Sequence, residues 1–183
     1  AAVCYVWQGG QEGGNAVVDV LTGIVNPSGK LTDTIAECID DYPSTAHFGD
    51  DAKNAYCEDI YVGYRYFDSF GVKPLFPFGF GLSYTDFKIQ FCSIEIDKDK
   101  IAVNVSVENI GNTFAGREVV QVYVSLPPGR IEKEYHRLVG YAKTNVLKPG
   151  EKQELKILFD GKTIASFFED ANAWIVETGK YGL

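Results

Sequence analysis

Two rhythms of apolar and polar positions divide the chain near residue 85. Beyond that point "FKIQF", "IAVNVSVEN", "EVVQVYVSL", "RLVGYAKT", "QELKILF" and "AWIVET" alternate with a period of two, and "NIGN", "LPPG" and "LKPGE" separate them as turns. A period of two puts alternate side chains on opposite faces of a strand, so Ile101, Val103, Val105 and Val107 are expected to share one core. Six or seven short strands within residues 86–183 fit an antiparallel sandwich of immunoglobulin or fibronectin type III shape.

Before residue 85 the rhythm is mixed. "AAVCYVW" is a continuous apolar run that suits a strand buried on both faces of a parallel sheet. "QGGQEGGN" follows as a permissive turn, and Val17, Leu21 and Ile24 recur at helical spacing with Asn15 as the expected N-cap. One strand, loop and helix unit cannot cover both faces of its own strand, so neighbouring strands are expected from sequence outside these residues. The absence of methionine agrees with a piece of a longer protein. "NPSGKL" reads as a turn, residues 32–58 as an acidic irregular connection, and "YVGYRYFDSFGVKPLF" as a short aromatic segment with a turn at Gly71 and a stop at Pro74. The expected fold class is a mixed α/β fragment followed by an all-β immunoglobulin/fibronectin type III-like sandwich. At the seam lies "LFPFGFGLSYTDF", residues 75–87. Phe76, Phe78, Phe80 and Tyr84 are expected to fill the interface, with Gly79 and Gly81 allowing close backbone approach.

Composition narrows the function classes. Hydrophobic residues make up 45% and aromatic residues 14%, enough for a packed core. The net charge of −8 sits almost wholly in residues 1–85, which hold 11 acids against 4 bases. Such a surface repels phosphate backbones, which argues against a nucleic acid partner. No apolar run approaches the roughly 18–20 residues that a membrane-crossing helix needs, so no membrane partner is expected. Cys4, Cys38, Cys57 and Cys92 lie far apart and only two histidines, His47 and His136, are present, which argues against a zinc site. No metal and no cofactor is expected. Cys38 and Cys57 could close a loop in an oxidising compartment, but free thiols are the stronger expectation.

Candidate chemistry is sparse. The glycine-rich "GGQEGGN" follows an apolar run and opens a helix, as a phosphate loop does, yet its spacing departs from GxGxxG and Glu12 would set a negative charge where the phosphate belongs. Gln11 and Glu12 better suit a neutral, hydroxyl-rich ligand such as a sugar at the carboxyl end of a parallel strand. The bland alternative is a helix start with an acid complementing the dipole. Ser83, in "GLSYT", is not in a nucleophile elbow, and each histidine stands alone. The acids of residues 33–59 offer no fixed carboxylate pair at the roughly 5–10 Å that glycoside hydrolysis requires. Asn104-Val105-Ser106 is a glycosylation sequon inside an expected strand. Exposed tyrosines and Trp174 are candidates for stacking on carbohydrate, against a stronger expectation of core and interface packing.

Several long motifs carry a resemblance. "GGQEGGNAVVDVLTGIVNPSGKL" resembles the glycoside hydrolase family 3 pattern "PGQEGGxAxADVLxGxxNPSGKL", and "YVGYRYFD" with "PLFPFGFGLSYTDF" resembles its "GYRYFD…PLFPFGxGLSYTxF". "NIGNTFAGREVVQVYVS", "HRLVGYAKTNVLKPGE" and "AWIVETGKY" are similar to the fibronectin type III-like domain that accompanies many β-glucosidases of that family. The resemblance implies retaining hydrolysis of β-linked glucosides by an aspartate nucleophile and a glutamate acid/base. It also implies that both lie outside this chain, the first in a barrel domain and the second upstream of "AAVCYVW", so no catalytic residue is assigned here. Residues 1–85 become the end of an α/β sandwich domain with its aromatic connecting segment, and residues 86–183 the fibronectin type III-like sandwich. The expected partners are the remaining domains of the same enzyme and a β-glucoside or oligosaccharide substrate, and the isolated chain is expected to be inactive. Gln11 and Glu12 are the residues expected to touch that substrate, with Tyr61, Tyr64 and Arg65 as alternatives better explained by packing. The rival reading is a carbohydrate-binding or adhesion module.

Overall fold

The first 85 residues fold into few regular elements in the computed structural model, which describes residues 2–49, 52–53 and 55–183. Helix α1 (Gly13–Leu21) is followed by a two-residue strand β1 (Ile35–Ala36), two 3-10 turns, helix α2 (Tyr64–Phe70) and strand β2 (Pro74–Phe76), which pairs antiparallel with β1. Two expectations are corrected here. The described part of "AAVCYVW", residues 2–7, forms no strand, and Val3, Tyr5 and Trp7 are exposed. A strand needs a ladder partner, and none of the described residues supplies one to this segment. The aromatic segment "YRYFDSF" forms helix α2 and ends at the expected turn, with Gly71 in the left-handed region (φ 66°), whereas Pro74 opens a strand rather than stopping one.

The second part is the expected sandwich. Strands β3 (Phe87–Asp97), β4 (Lys100–Asn109) and β7 (Lys152–Asp160) form one antiparallel sheet in the order β3-β4-β7, and β5 (Val119–Ser125) pairs with β6 (His136–Lys143) in a second. A short hairpin, β8 (Ser166–Phe168) with β9 (Ala173–Ile175), closes the list of strands. Val103, Val105 and Val107 of β4 meet Leu155, Ile157 and Phe159 of β7, with Val120, Val122 and Val124 of β5 packed over them. Residues directly opposite in a ladder share a face, which places Ile89, Phe91, Ile94 and Ile96 of β3 on that same side. They nevertheless stay exposed, because β5 and β6 overlie β4 and β7 and leave β3 uncovered.

One buried amide pins the strand ends. Asn109, fully buried at the end of β4, donates from Nδ2 to the carbonyls of Phe114 and Leu147 at 2.9 Å each. Its Oδ1 accepts from the Thr85 hydroxyl at 2.6 Å and the Gly111 N–H at 3.0 Å. Every hydrogen-bonding site of the side chain is used, so the turn after β4, the loop before β5, the β6–β7 connection and Thr85 of the aromatic seam are tied to one point.

Helix α2 docks on β6 through charge. Glu134, almost fully buried, receives a bidentate Arg137 (2.6 and 2.9 Å), while Arg65 Nε of α2 lies 3.6 Å from the Glu134 oxygen that accepts from Arg137 Nε. Arg137 also donates to the Thr163 and Ala165 carbonyls and to Ser166 Oγ, which anchors the β8–β9 hairpin. The Tyr64 hydroxyl accepts from the Leu138 N–H, and Asp68 pairs with His136 at 2.9 Å. Burial alone would raise the Glu134 carboxyl, but the Arg137 hydrogen bonds, its own backbone N–H and the Arg137 and Arg65 charges together hold it below the usual glutamate range.

Two predictions follow from these contacts. Asn109→Ala strands four hydrogen-bonding groups and should cost about 3 kcal/mol, read from the shift in urea midpoint at unchanged slope. Because Glu134 has a lowered folded pKa, the unfolded chain binds the proton more readily. Its stabilisation is therefore present above the unfolded glutamate value of about 4.3 and lost as pH falls through the lower folded value. Thermal unfolding followed from pH 6 to pH 3 should show the wild type losing more stability than Glu134→Gln over that window.

Candidate functional site

The glycine-rich loop lies at the exposed start of α1. Glu12, not Asn15, occupies the N-cap position, and Asn15 reaches back to donate from Nδ2 to the Glu12 carboxylate. An acid at a helix start is stabilised by the local dipole, which accounts for the arrangement without any ligand. Gln11 and Glu12 are both exposed, and neither lines the two cavities described next.

The smaller cavity, about 220 Å³, opens in the aromatic seam. Tyr64 sits at its centre, with ring centroids of Phe78 at 5.4 Å, Tyr123 at 5.5 Å and His136 at 6.2 Å. The Tyr123 hydroxyl donates to Gln121 Oε1 at 2.9 Å, and burial, reinforced by the neighbouring Tyr64 and Asp68, pushes its pKa up to about 12. A phenol so high stays neutral near pH 7 and is no general base there. His136, which looks solitary in the sequence, is held by Asp68 and stacked on Tyr64, a packing role. Thr34, buried beside this cavity, has a hydroxyl with no hydrogen-bond partner in the protein.

In the seam Phe76, Phe78 and Phe80 are half-buried as expected, whereas Tyr84, expected to fill the interface, is exposed and donates from its hydroxyl to the Val20 carbonyl. Leu31 exchanges backbone hydrogen bonds with Phe80 and Gly79 at 2.8 Å each. Asn26 accepts from Ser83 Oγ and the Tyr84 N–H and donates to the Ala115 carbonyl, bridging the loop after α1 to both parts of the chain. Lys30 donates to the Gly81 carbonyl and pairs with Glu118 at 2.7 Å. A Cβ at Gly81 would lie 2.4 Å from the Gly29 carbonyl oxygen, and one at Gly79, where φ is +81°, would meet the Gln121 amide at 2.5 Å. Only glycine fits at either place.

The larger cavity, about 790 Å³, lies between the start of α2, residues 130–138 and the β8–β9 hairpin. The Glu134–Arg137 pair forms part of its wall, and Phe167, Phe168 and Trp174 stand on the hairpin side. Phe167 and Trp174 are cross-strand partners with ring centroids 5.6 Å apart and nearly perpendicular, and the Arg130 guanidinium lies 5.5 Å from the Phe168 ring. Trp174 is 70% exposed, so the expectation that packing consumes it is not met. Glu134 is neutralised by its bidentate arginine and cannot act as a proton donor near pH 7.

Other candidates fall away. Tyr61 and Tyr64 pack against Phe70 and Phe78, and Arg65 belongs to the Glu134 ion cluster. The four cysteines are free and exposed. Among the described residues no group of three or more His, Cys, Asp or Glu side chains is disposed to hold a metal, and no helix is long and apolar enough to cross a membrane. Sequence reasoning missed the Glu134–Arg137–Arg65 cluster because Arg65 is far from the other two along the chain, and a lone "EYHR" carries no periodic cue.

Comparisons with known proteins agree with this architecture. Residues 1–84 match the glycosyl hydrolase family 3 C-terminal domain, and residues 118–183 match a fibronectin type III-like domain. A β-glucosidase of Ruminococcus albus is 47% identical over 98% of this chain and 19% of its own length, and one of Kluyveromyces marxianus 41% identical over 98% and 21%. Among solved structures, β-glucosidase 3B of Thermotoga neapolitana superposes with a TM-score of 0.88 at 44% identity, over 97% of this chain and 25% of that one. A β-glucosidase of Paenibacillus barengoltzii gives the same TM-score and identity over 92% and 19%. The chain thus spans about a fifth to a quarter of the length of the relatives it matches. Both halves of the molecule are thus matched in order: the chain carries a glycosyl hydrolase family 3 C-terminal domain followed by a fibronectin type III-like domain.

Proposed function

We propose that this chain is a non-catalytic portion of a β-glucosidase-type hydrolase, with residues 1–85 completing an α/β sandwich domain and residues 86–183 forming the sandwich that braces it. One observation carries the reading. Val3, Tyr5, Trp7, Val18, Leu21 and Ile24 are exposed on the first 25 residues, while the segment immediately after them is clamped to the sandwich by Asn26 and Lys30. An apolar series of that extent, on a fixed base, is what another layer of the same protein covers. The partners are then the remaining domains of the enzyme, and its substrate is a β-glucoside or oligosaccharide. Cleavage proceeds there by a pair of carboxylates with retention at the sugar carbon, and this chain supplies neither.

Within the complete enzyme, Gln11 and Glu12 are the residues of this chain that contact substrate. Their exposed side chains sit on the loop that the apolar run feeds into α1, and they can accept and donate hydrogen bonds to sugar hydroxyls. No nucleic acid, membrane or cofactor enters this reading. The purified chain should release no aglycone from an aryl β-glucoside, while the complete enzyme turns it over. Turnover by the chain alone that Glu12→Gln abolishes would overturn the assignment.

A further inference from the structure

We propose that the 790 Å³ cleft between α2 and the β8–β9 hairpin is a binding site for a neutral oligosaccharide, built around Trp174. Its volume lies within the range of roughly 300–1,000 Å³ typical of small-ligand sites.

The shape of the hairpin makes the indole available. Asn172, in the left-handed conformation (φ 47°), turns the chain so that Trp174 lies opposite Phe167 in the ladder, and the two rings meet nearly edge to face. Phe167 thereby supports the indole while leaving Trp174 70% exposed at the cleft. The frame beneath is rigid, because Arg137 joins Glu134 to the Thr163 and Ala165 carbonyls and to Ser166 at the base of the hairpin.

Charge selects the class of ligand. Four basic side chains and five carboxylates line the cleft, so it presents no strong net field to an anion or a cation. It offers an aromatic platform flanked by donors such as Arg130 and Lys162 and acceptors such as Glu169 and Asp170. A pyranose ring has the complementary chemistry, with an apolar face of C–H groups and an equatorial belt of hydroxyls that both donate and accept. A nucleotide or an acidic glycan would meet the carboxylates, and a purely apolar ligand would leave the charged rim without partners.

The choice of a β-linked glucose oligomer as probe rests on the reading above, but the test measures binding alone and so fails independently of it. The chain contains two tryptophans, Trp7 and Trp174, giving two indole N–H signals. Titrating the ¹⁵N-labelled chain with cellotetraose should shift the Trp174 indole saturably and leave that of Trp7 in place. Trp174→Ala should weaken binding by about tenfold or more in calorimetry, with Trp174→Phe, which keeps a ring, losing less. Dispersed core valine methyl signals verify that each variant stays folded, and an oligogalacturonate titration supplies the anionic arm. An unmoved Trp174 signal at saturating cellotetraose, undiminished affinity in Trp174→Ala, or preference for oligogalacturonate would each overturn the proposal.

Discussion

A relay of side-chain amides and hydroxyls fixes the register between the two parts of the molecule. Asn26 accepts from Ser83, whose oxygen in turn accepts from the Thr85 N–H, and the Thr85 hydroxyl donates to Asn109, which holds the Leu147 carbonyl. Each member is short and its partners are fixed in number, so the relay tolerates little sliding of one part against the other. The aromatic rings of residues 75–87 add area around it, but ring packing is permissive about register and hydrogen bonding is not. Gly81 against Gly29 completes the constraint by bringing two backbones together where no side chain fits.

How much of this was legible in the sequence depended on whether the cue was periodic. The valines of β4 alternate without interruption, and Val103, Val105 and Val107 are buried as that alternation requires. Trp174 and Phe167 also alternate, but alternation assigns a face and not its cover, and here the face meets solvent. "AAVCYVW" shows the opposite failure: its composition is that of a buried strand, yet strand formation is a property of pairs, and composition does not reveal whether the partner is present. "YRYFDSF" was legible only as an aromatic segment, because helix formation there comes from docking Tyr64, Arg65 and Asp68 against residues 134–138, a gain invisible to propensity.

The candidate sites divide along the same line. Glu12 was legible as an acid beside a helix start, and that is its geometry. The Asp68–His136 and Arg65–Glu134 contacts were not, since each joins residues nearly seventy positions apart. A buried ion cluster of this kind gives little net stability once desolvation is counted. It does set which way α2 lies on the sheet, because Arg65 and Asp68 must meet Glu134 and His136 on one short stretch of chain.

The guanidinium of Arg137 has a consequence for how the molecule can diversify. It grips two carbonyls and a hydroxyl at the root of the hairpin, so the loop's position is encoded in main-chain atoms and one arginine rather than in the residues displayed at its tip. Exchanges at Phe167, Asp170 or Trp174 would repaint the surface while its mounting stays put. Lineages are free to retune what this edge meets without renegotiating the architecture that carries it.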